Sequence, residues 1–140
     1  LMTVHPYEVT KFVKSRDLTK DNIIIHYAQP RPPFIGATPL VPNGRRGFVP
    51  FGKRREFLKK TIYNYLLSIV EKDPDLVRKA YQDNLILVLT EVNRLIPYLE
   101  QEEILITADH ATLLGEDNIW FRPYDHPKLH SVPLLIIRRW

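Results

Sequence analysis

The chain has 140 residues, 44% hydrophobic and 26% charged, the balance of a globular protein with room for one ordinary domain. It lacks cysteine, which excludes disulfides, thiolate–zinc sites and a cysteine nucleophile within these residues. Its longest apolar runs, Leu85–Leu89 and Leu134–Ile137, fall far short of the ~20 residues that cross a bilayer, so no membrane association is expected. No basic-then-apolar leader opens the chain, and a cytoplasmic location is the expectation. The net charge of +4 is uneven: residues 1–60 carry twelve basic and four acidic side chains, and residues 61–140 carry eight and twelve. Such asymmetry attracts anionic substrates or polyanions, although basic side chains solvating loops and helix faces produce it equally well.

In chain order, Pro6 opens a short helical pattern across His5–Arg16, with Val9, Phe12 and Val13 on its apolar side. Asn22–Ala28 (NIIIHYA) is a β-branched apolar run that predicts a buried strand. From Gln29 to Gly52 six prolines and four glycines predict a long loop. With its basic continuation it forms a Pro/Gly/Arg-rich segment over 29–55, far above the usual ~4–6 residues of a connection.

Two helices follow. The first carries Phe57, Ile62, Tyr65, Leu66 and Ile69 and closes at Glu71–Lys72. The second opens on Asp73-Pro74-Asp75, an N-cap residue followed by proline where the missing N–H costs nothing. Its stripe runs Val77, Tyr81, Leu85, Val88, Val92, Leu95 and Leu99; Ile86, Leu87, Leu89 and Ile96 add enough apolar surface to predict burial on more than one side. Glu103–Thr107 (EILIT) and Val132–Ile137 (VPLLII) predict two more strands. Strands separated by helices point to a single α/β domain over residues 1–140, a mostly parallel sheet with flanking helices. Three strands this apolar read as an incomplete part of a larger sheet, completed by a missing N-terminal segment or a partner chain; a homo-oligomer is compatible with this.

In a parallel α/β sheet, ligands gather where the strands end. That rule brings Arg31, after the first strand, and Asp109 and His110, after the second, to one rim. Carboxylate oxygen and neutral imidazole nitrogen suit a divalent cation such as Zn, Mn, Ca or Mg. An Asp109 that merely caps the following turn is the plainer reading of that pair. Within Gly44–Arg55 five basic residues interleave with Phe48 and Phe51, a pattern able to hold nucleic acid through phosphate contacts and stacking. A loop covering the sheet rim with its phenylalanines in the core explains it more simply. His26, inside a strand, reads as a hydrogen-bonded core residue.

Several segments, in order, resemble the sulfatase-like branch of the alkaline phosphatase superfamily. Ile104–Glu116 (ILITADHATLLGE) is similar to its ITSDHGE-LGE segment, and Ile24–Gly36 (IIHYAQPRPPFIG) to its HY-QPH-PFIG segment. Val77–Ile96 looks like the helix before its metal-binding strand, Tyr124–Pro127 (YDHP) like its YGHP, and Val132–Ile137 like its closing VPLLI strand. The resemblance implies a metal-dependent hydrolase of phosphate, phosphonate or sulfate esters. By position it gives Asp109 and His110 to the metal, with His126 a further ligand or substrate contact. It also implies that Arg122, with Lys128 as the other candidate, grips the substrate oxyanion.

The departures matter as much. Arg31 stands where the family has a histidine; it binds anions but cannot exchange a proton near neutral pH. Ala111 and Thr112 replace the glycine and glutamate that follow the Asp–His pair. The family's hydroxyl nucleophile has no counterpart in residues 1–21, and Thr107, Thr112 and Ser131 sit in no recognisable nucleophile turn. The chain alone is therefore expected to be catalytically incomplete, with its nucleophile supplied by a missing N-terminal segment. The alternatives are a degenerate relative with a structural or binding role, and a basic nucleic-acid-binding module.

Overall fold

The computed structural model describes residues 3–18, 22–42, 54–121 and 125–139, with residues 54–59 described by their backbone alone. Contacts divide the chain into two compact units, Leu1–Asp17 with Asp21–Tyr98, and Leu18–Lys20 with Leu99–Trp140.

The first unit is helical. Helix α1 spans Pro6–Lys14, α2 spans Arg54–Val70 and α3 spans Pro74–Leu95, running into a short 3-10 turn at Ile96–Tyr98. The starts form as their sequences predict. His5 accepts the Tyr7 N–H and Asp73 accepts the Leu76 N–H, each with proline in the first turn. Both α1 and α2 pack on α3. The buried residues of α3 are Val77, Ala80, Asn84, Val88, Glu91 and Leu95, spaced by three and four on one stripe. Ile86 and Leu89 are about half exposed, so burial on several sides is not what the described residues show. Pro6, Thr10 and Val13 of α1, with Ile62 and Leu66 of α2, complete this core.

The Pro30–Leu40 loop also joins that core. Phe34 is fully buried, its ring edge-on to Tyr81 at 6.2 Å between centroids. Leu40 donates its N–H to the Phe34 carbonyl at 3.0 Å, closing the loop on itself. The peptides Gln29–Pro30 and Pro32–Pro33 are both cis. Asn84, also fully buried, holds this loop at three points. It accepts the Ile35 N–H at 3.0 Å and donates to the carbonyls of Pro30 and Arg31 at 3.1 and 3.3 Å. Thr38 donates to Asp83 at 2.5 Å, and that hydrogen bond, helped by Lys79, holds the Asp83 carboxyl below its usual range.

The second unit contains two small antiparallel sheets. Strand β1 (Glu103–Thr107) pairs with β4 (Leu134–Arg138), Leu105 opposite Ile136; β2 (Leu113–Leu114) pairs with β3 (Trp120–Phe121). Leu99, Leu113, Phe121 and Leu129 are its buried residues. Glu103 and Arg138 form an ion pair at 2.8 Å across one end of the β1–β4 ribbon.

The expected mostly parallel sheet is thus overturned: the described residues form three α-helices and two antiparallel ribbons. Parallel pairing needs a crossover of a dozen or more residues, usually a helix. Between β1 and β4 the described residues form only the β2–β3 ribbon and two 3-10 turns, Glu116–Asn118 and Pro127–His130. Composition marks a strand but not its direction. Asn22–Ala28 forms no strand; it alternates between exposed and half-buried residues, and Ile24 is 96% exposed. The first helix and α3 appear where expected, as do the two later strands. No helix among the described residues is long and apolar enough to cross a membrane.

Two predictions follow from the packing of the first unit. A Cβ on Gly36 would lie 2.6 Å from the carbonyl carbon and oxygen of Asp83, backbone atoms that cannot swing aside. Gly36→Ala is expected to cost about 1–3 kcal/mol in urea unfolding, and wild-type stability in that variant would refute the close approach. Tyr27, hydrogen-bonded to Thr10 at 3.0 Å, has its phenol pushed above the usual 10.0 chiefly by burial. A raised phenol favours the folded state below the unfolded pKa, and that contribution drains away as pH rises through and beyond 10. Melting temperatures from pH 8 to 11 should fall less steeply in Tyr27→Phe than in wild type.

Candidate functional site

Asp109 and His110 directly follow β1, after Ala108. Their turn is tied on both sides: Thr107 donates its hydroxyl to the Pro133 carbonyl at 2.8 Å, and Ala111 donates its N–H to the Leu129 carbonyl at 2.9 Å. The His110 side chain is 15% exposed and that of Asp109 52%, so the imidazole is held while the carboxylate reaches solvent.

His110 Nδ1 lies 2.7 Å from the Ala111 carbonyl oxygen. A carbonyl only accepts, so Nδ1 carries the proton and the neutral ring has its lone pair on Nε2. That nitrogen is 3.8 Å from Asp109 Oδ2. Lone pair and carboxylate repel one another unless a cation lies between them, whether a proton on Nε2 or a metal ion. A metal-bound histidine characteristically gives its other N–H to a carbonyl or carboxylate, the role that Ala111 fills here. Ligand bonds of about 2.1 Å place two donors on a tetrahedral cation roughly 3.4 Å apart. The pair therefore suits two ligands of such an ion after closing by a few tenths of an ångström.

His126 is arranged in the opposite sense. Its Nδ1 accepts the Lys128 N–H at 3.2 Å, capping the Pro127–His130 turn. Its Nε2 therefore bears the proton of the neutral ring and donates it to Asp117 at 3.2 Å. Both ring nitrogens are committed within this local structure. Nearby, His130 pairs with Asp125 at 2.8 Å. Among the described residues no three His, Asp or Glu side chains converge as a metal site. Asp109 and His110 are brought together; His126 does not join them in a three-ligand cluster.

Arg31 is exposed and belongs to the helical unit, whereas Asp109, His110 and His126 belong to the other. With no strand at Asn22–Ala28 and an antiparallel β1–β4 pair, the shared rim expected of a parallel sheet has no basis. Lys128 is exposed, and its backbone N–H caps onto His126. Arg122 and most of the Gly44–Arg55 basic segment lie outside the described residues. His26 is exposed rather than a core residue.

The sequence reading missed Asn84 and Asp117. Asn84 had a legible signal, a polar residue midway along the Ala80–Val88–Leu95 stripe of α3. Asp117 had none, because its pairing with His126 depends on a left-handed backbone at φ 54°. No protein-family model, curated protein or solved structure matches this chain.

The cap geometry generates its own expectation. His126→Ala removes the Lys128 cap and the Asp117 hydrogen bond together, and should lower stability by about 1 kcal/mol. Urea unfolding followed by tryptophan fluorescence would measure it; a neutral substitution would mean that the ring is not engaged as described.

Proposed function

We propose that Asp109 and His110 are two ligands of a divalent cation in a hydrolase-like protein acting on phosphate, phosphonate or sulfate esters. The observation that carries this is the His110 tautomer: the Ala111 carbonyl fixes the proton on Nδ1 and turns the Nε2 lone pair towards a carboxylate oxygen 3.8 Å away. The resemblance of Ile104–Glu116 to the metal-binding segment of sulfatases points the same way. A bound cation would supply Lewis-acid polarisation of an ester oxygen. Asp109 contributes negative charge from a half-exposed side chain, and His110 a ring whose plane and tautomer are set by the backbone. His126 is left out of the ligand set, because its two nitrogens serve Lys128 and Asp117. The remaining ligands and the nucleophile come from residues outside the described segments or from another chain.

A second reading is a relative that keeps the segments without turnover. It is favoured by Ala111 and Thr112, which replace the family's glycine and glutamate, and by the lack of a third ligand among the described residues.

Titration of the full chain with Zn, Mn and Mg separates the readings. Under the first, Asp109→Ala and His110→Ala each weaken cation binding at least tenfold, a loss of ~1.4 kcal/mol or more. Cation uptake that ignores both substitutions would end it. Failure to bind any of the three cations supports the degenerate reading.

A further inference from the structure

The β1–β4 ribbon has two open edges. Arg139 donates its N–H to the Glu102 carbonyl at 2.9 Å, one step beyond the Glu103–Arg138 pairing. Backbone groups of an antiparallel pair point inward and outward at alternate residues. The outward N–H and C=O groups therefore belong to Glu103, Leu105 and Thr107 on one strand, and to Leu134, Ile136 and Arg138 on the other. Among the described residues no further strand pairs with either edge. Strand β4 is the more exposed of the two. Its consecutive Leu134, Leu135 and Ile136 are 62%, 55% and 44% exposed, whereas Ile104 and Ile106 of β1 are half-buried. A two-stranded ribbon is marginal in water, and stability comes with three or more strands that share an apolar face.

We infer that the outer edge of β4 is a dimerisation surface, which pairs antiparallel with β4 of a second copy to form one four-stranded sheet. The occupant follows from the self-complementarity of the edge. A two-fold axis sets a strand against itself in reverse. Centred on Ile136, it brings Ile136 opposite the partner's Ile136 and Leu134 opposite the partner's Arg138. Leu134, Ile136 and Arg138 of each copy then both donate and accept across the new ladder, since none of them is proline. Ile136 gains an aliphatic cross-strand neighbour, and Leu134 gains the stem of an arginine. Charge permits the same register. Arg138 is already paired with Glu103 of its own ribbon at 2.8 Å. The two arginines of the dimer stand four positions apart along the strands, roughly 13 Å, farther than the ~8–10 Å over which exposed charges act.

The chain has no cysteine, so a single introduced one reports the register. Across a hydrogen-bonded antiparallel pair the two Cα atoms lie about 5.5 Å apart, within the ~4.4–6.8 Å that a disulfide spans. Ile136→Cys is therefore expected to give a covalent dimer of the full chain on mild oxidation. Leu105→Cys, on the far strand of each ribbon, lies three strand spacings from its copy, roughly 14 Å. It should cross-link about tenfold more slowly or less. Sedimentation equilibrium of the wild-type chain should show a concentration-dependent dimer, and a chain that stays monomeric up to about 1 mM overturns the inference. Faster cross-linking at Leu105 than at Ile136 overturns it in favour of the β1 edge. A wild-type dimer in which neither position cross-links joins its copies through another surface, and overturns it as well. Should Ile136→Cys fail to fold, Leu134→Cys mixed with Arg138→Cys tests the same register. The mixed disulfide is then expected ahead of either homodimer, and its absence overturns the pairing.

Discussion

Asn84 has no contact with water, and three backbone groups of one loop depend on it. A buried amide without partners costs several kcal/mol, and a buried N–H or carbonyl left alone costs about 1–3 kcal/mol. Each side therefore makes the other tolerable: the loop can be buried because the asparagine satisfies it, and the asparagine can sit on an apolar stripe because the loop satisfies it. The rest of the helical unit is arranged to keep the two in register. Gly36 permits the close approach, Thr38 and Asp83 fasten the next turn of the loop, and Phe34 fills the space beside Tyr81.

What could be read in the sequence follows from the range of the forces involved. Caps and periodicity are local, and they located α1 and α3 well; Asp73 accepts the Leu76 N–H as its place before proline suggests. Glu103–Thr107 and Leu134–Arg138 are strands for equally local reasons, their β-branched and apolar residues. Their mutual direction is not local. It depends on what the chain does between Ala108 and Pro133, and there it makes a ribbon and two tight turns instead of a crossover helix. Asn22–Ala28 shows the limit most plainly: it alternates in exposure as a strand does, yet Ile24 lies 96% exposed and forms no ladder. An apolar run gains little as a strand unless a neighbour receives its hydrogen bonds.

Two histidines of the second unit show why residue type alone does not identify a ligand. His110 and His126 each lie beside an aspartate, at 3.8 and 3.2 Å. The difference is on the far side of each ring. A carbonyl beside His110 Nδ1 demands a proton there and sends the lone pair towards Asp109; an N–H beside His126 Nδ1 demands the lone pair there and sends the proton towards Asp117. The first ring turns an acceptor nitrogen towards its aspartate, and the second turns a donor. The Asp–His spacing was visible in the sequence, but the peptide groups that choose the tautomer were not.

The backbone around Asp117 ties that second histidine to the rest of its unit. Gly115, Asp117, Asn118 and Phe121 all have positive φ. Glycine adopts such angles freely and Asp or Asn at modest cost, but for phenylalanine the conformation costs on the order of 1–3 kcal/mol. Phe121 is only 3% exposed, and burying a side chain of its size returns about 1.5–3 kcal/mol, enough to offset the strain. The same left-handed turn carries the Asp117 carboxylate that meets His126, which in turn caps Pro127–His130. Leu129 of that turn is buried, and its carbonyl receives the Ala111 N–H. A chain of contacts thus leads from a strained ribbon through a histidine cap to Ala111, the residue whose carbonyl sets the proton on His110. His126 then bears on the Asp109–His110 pair through the backbone.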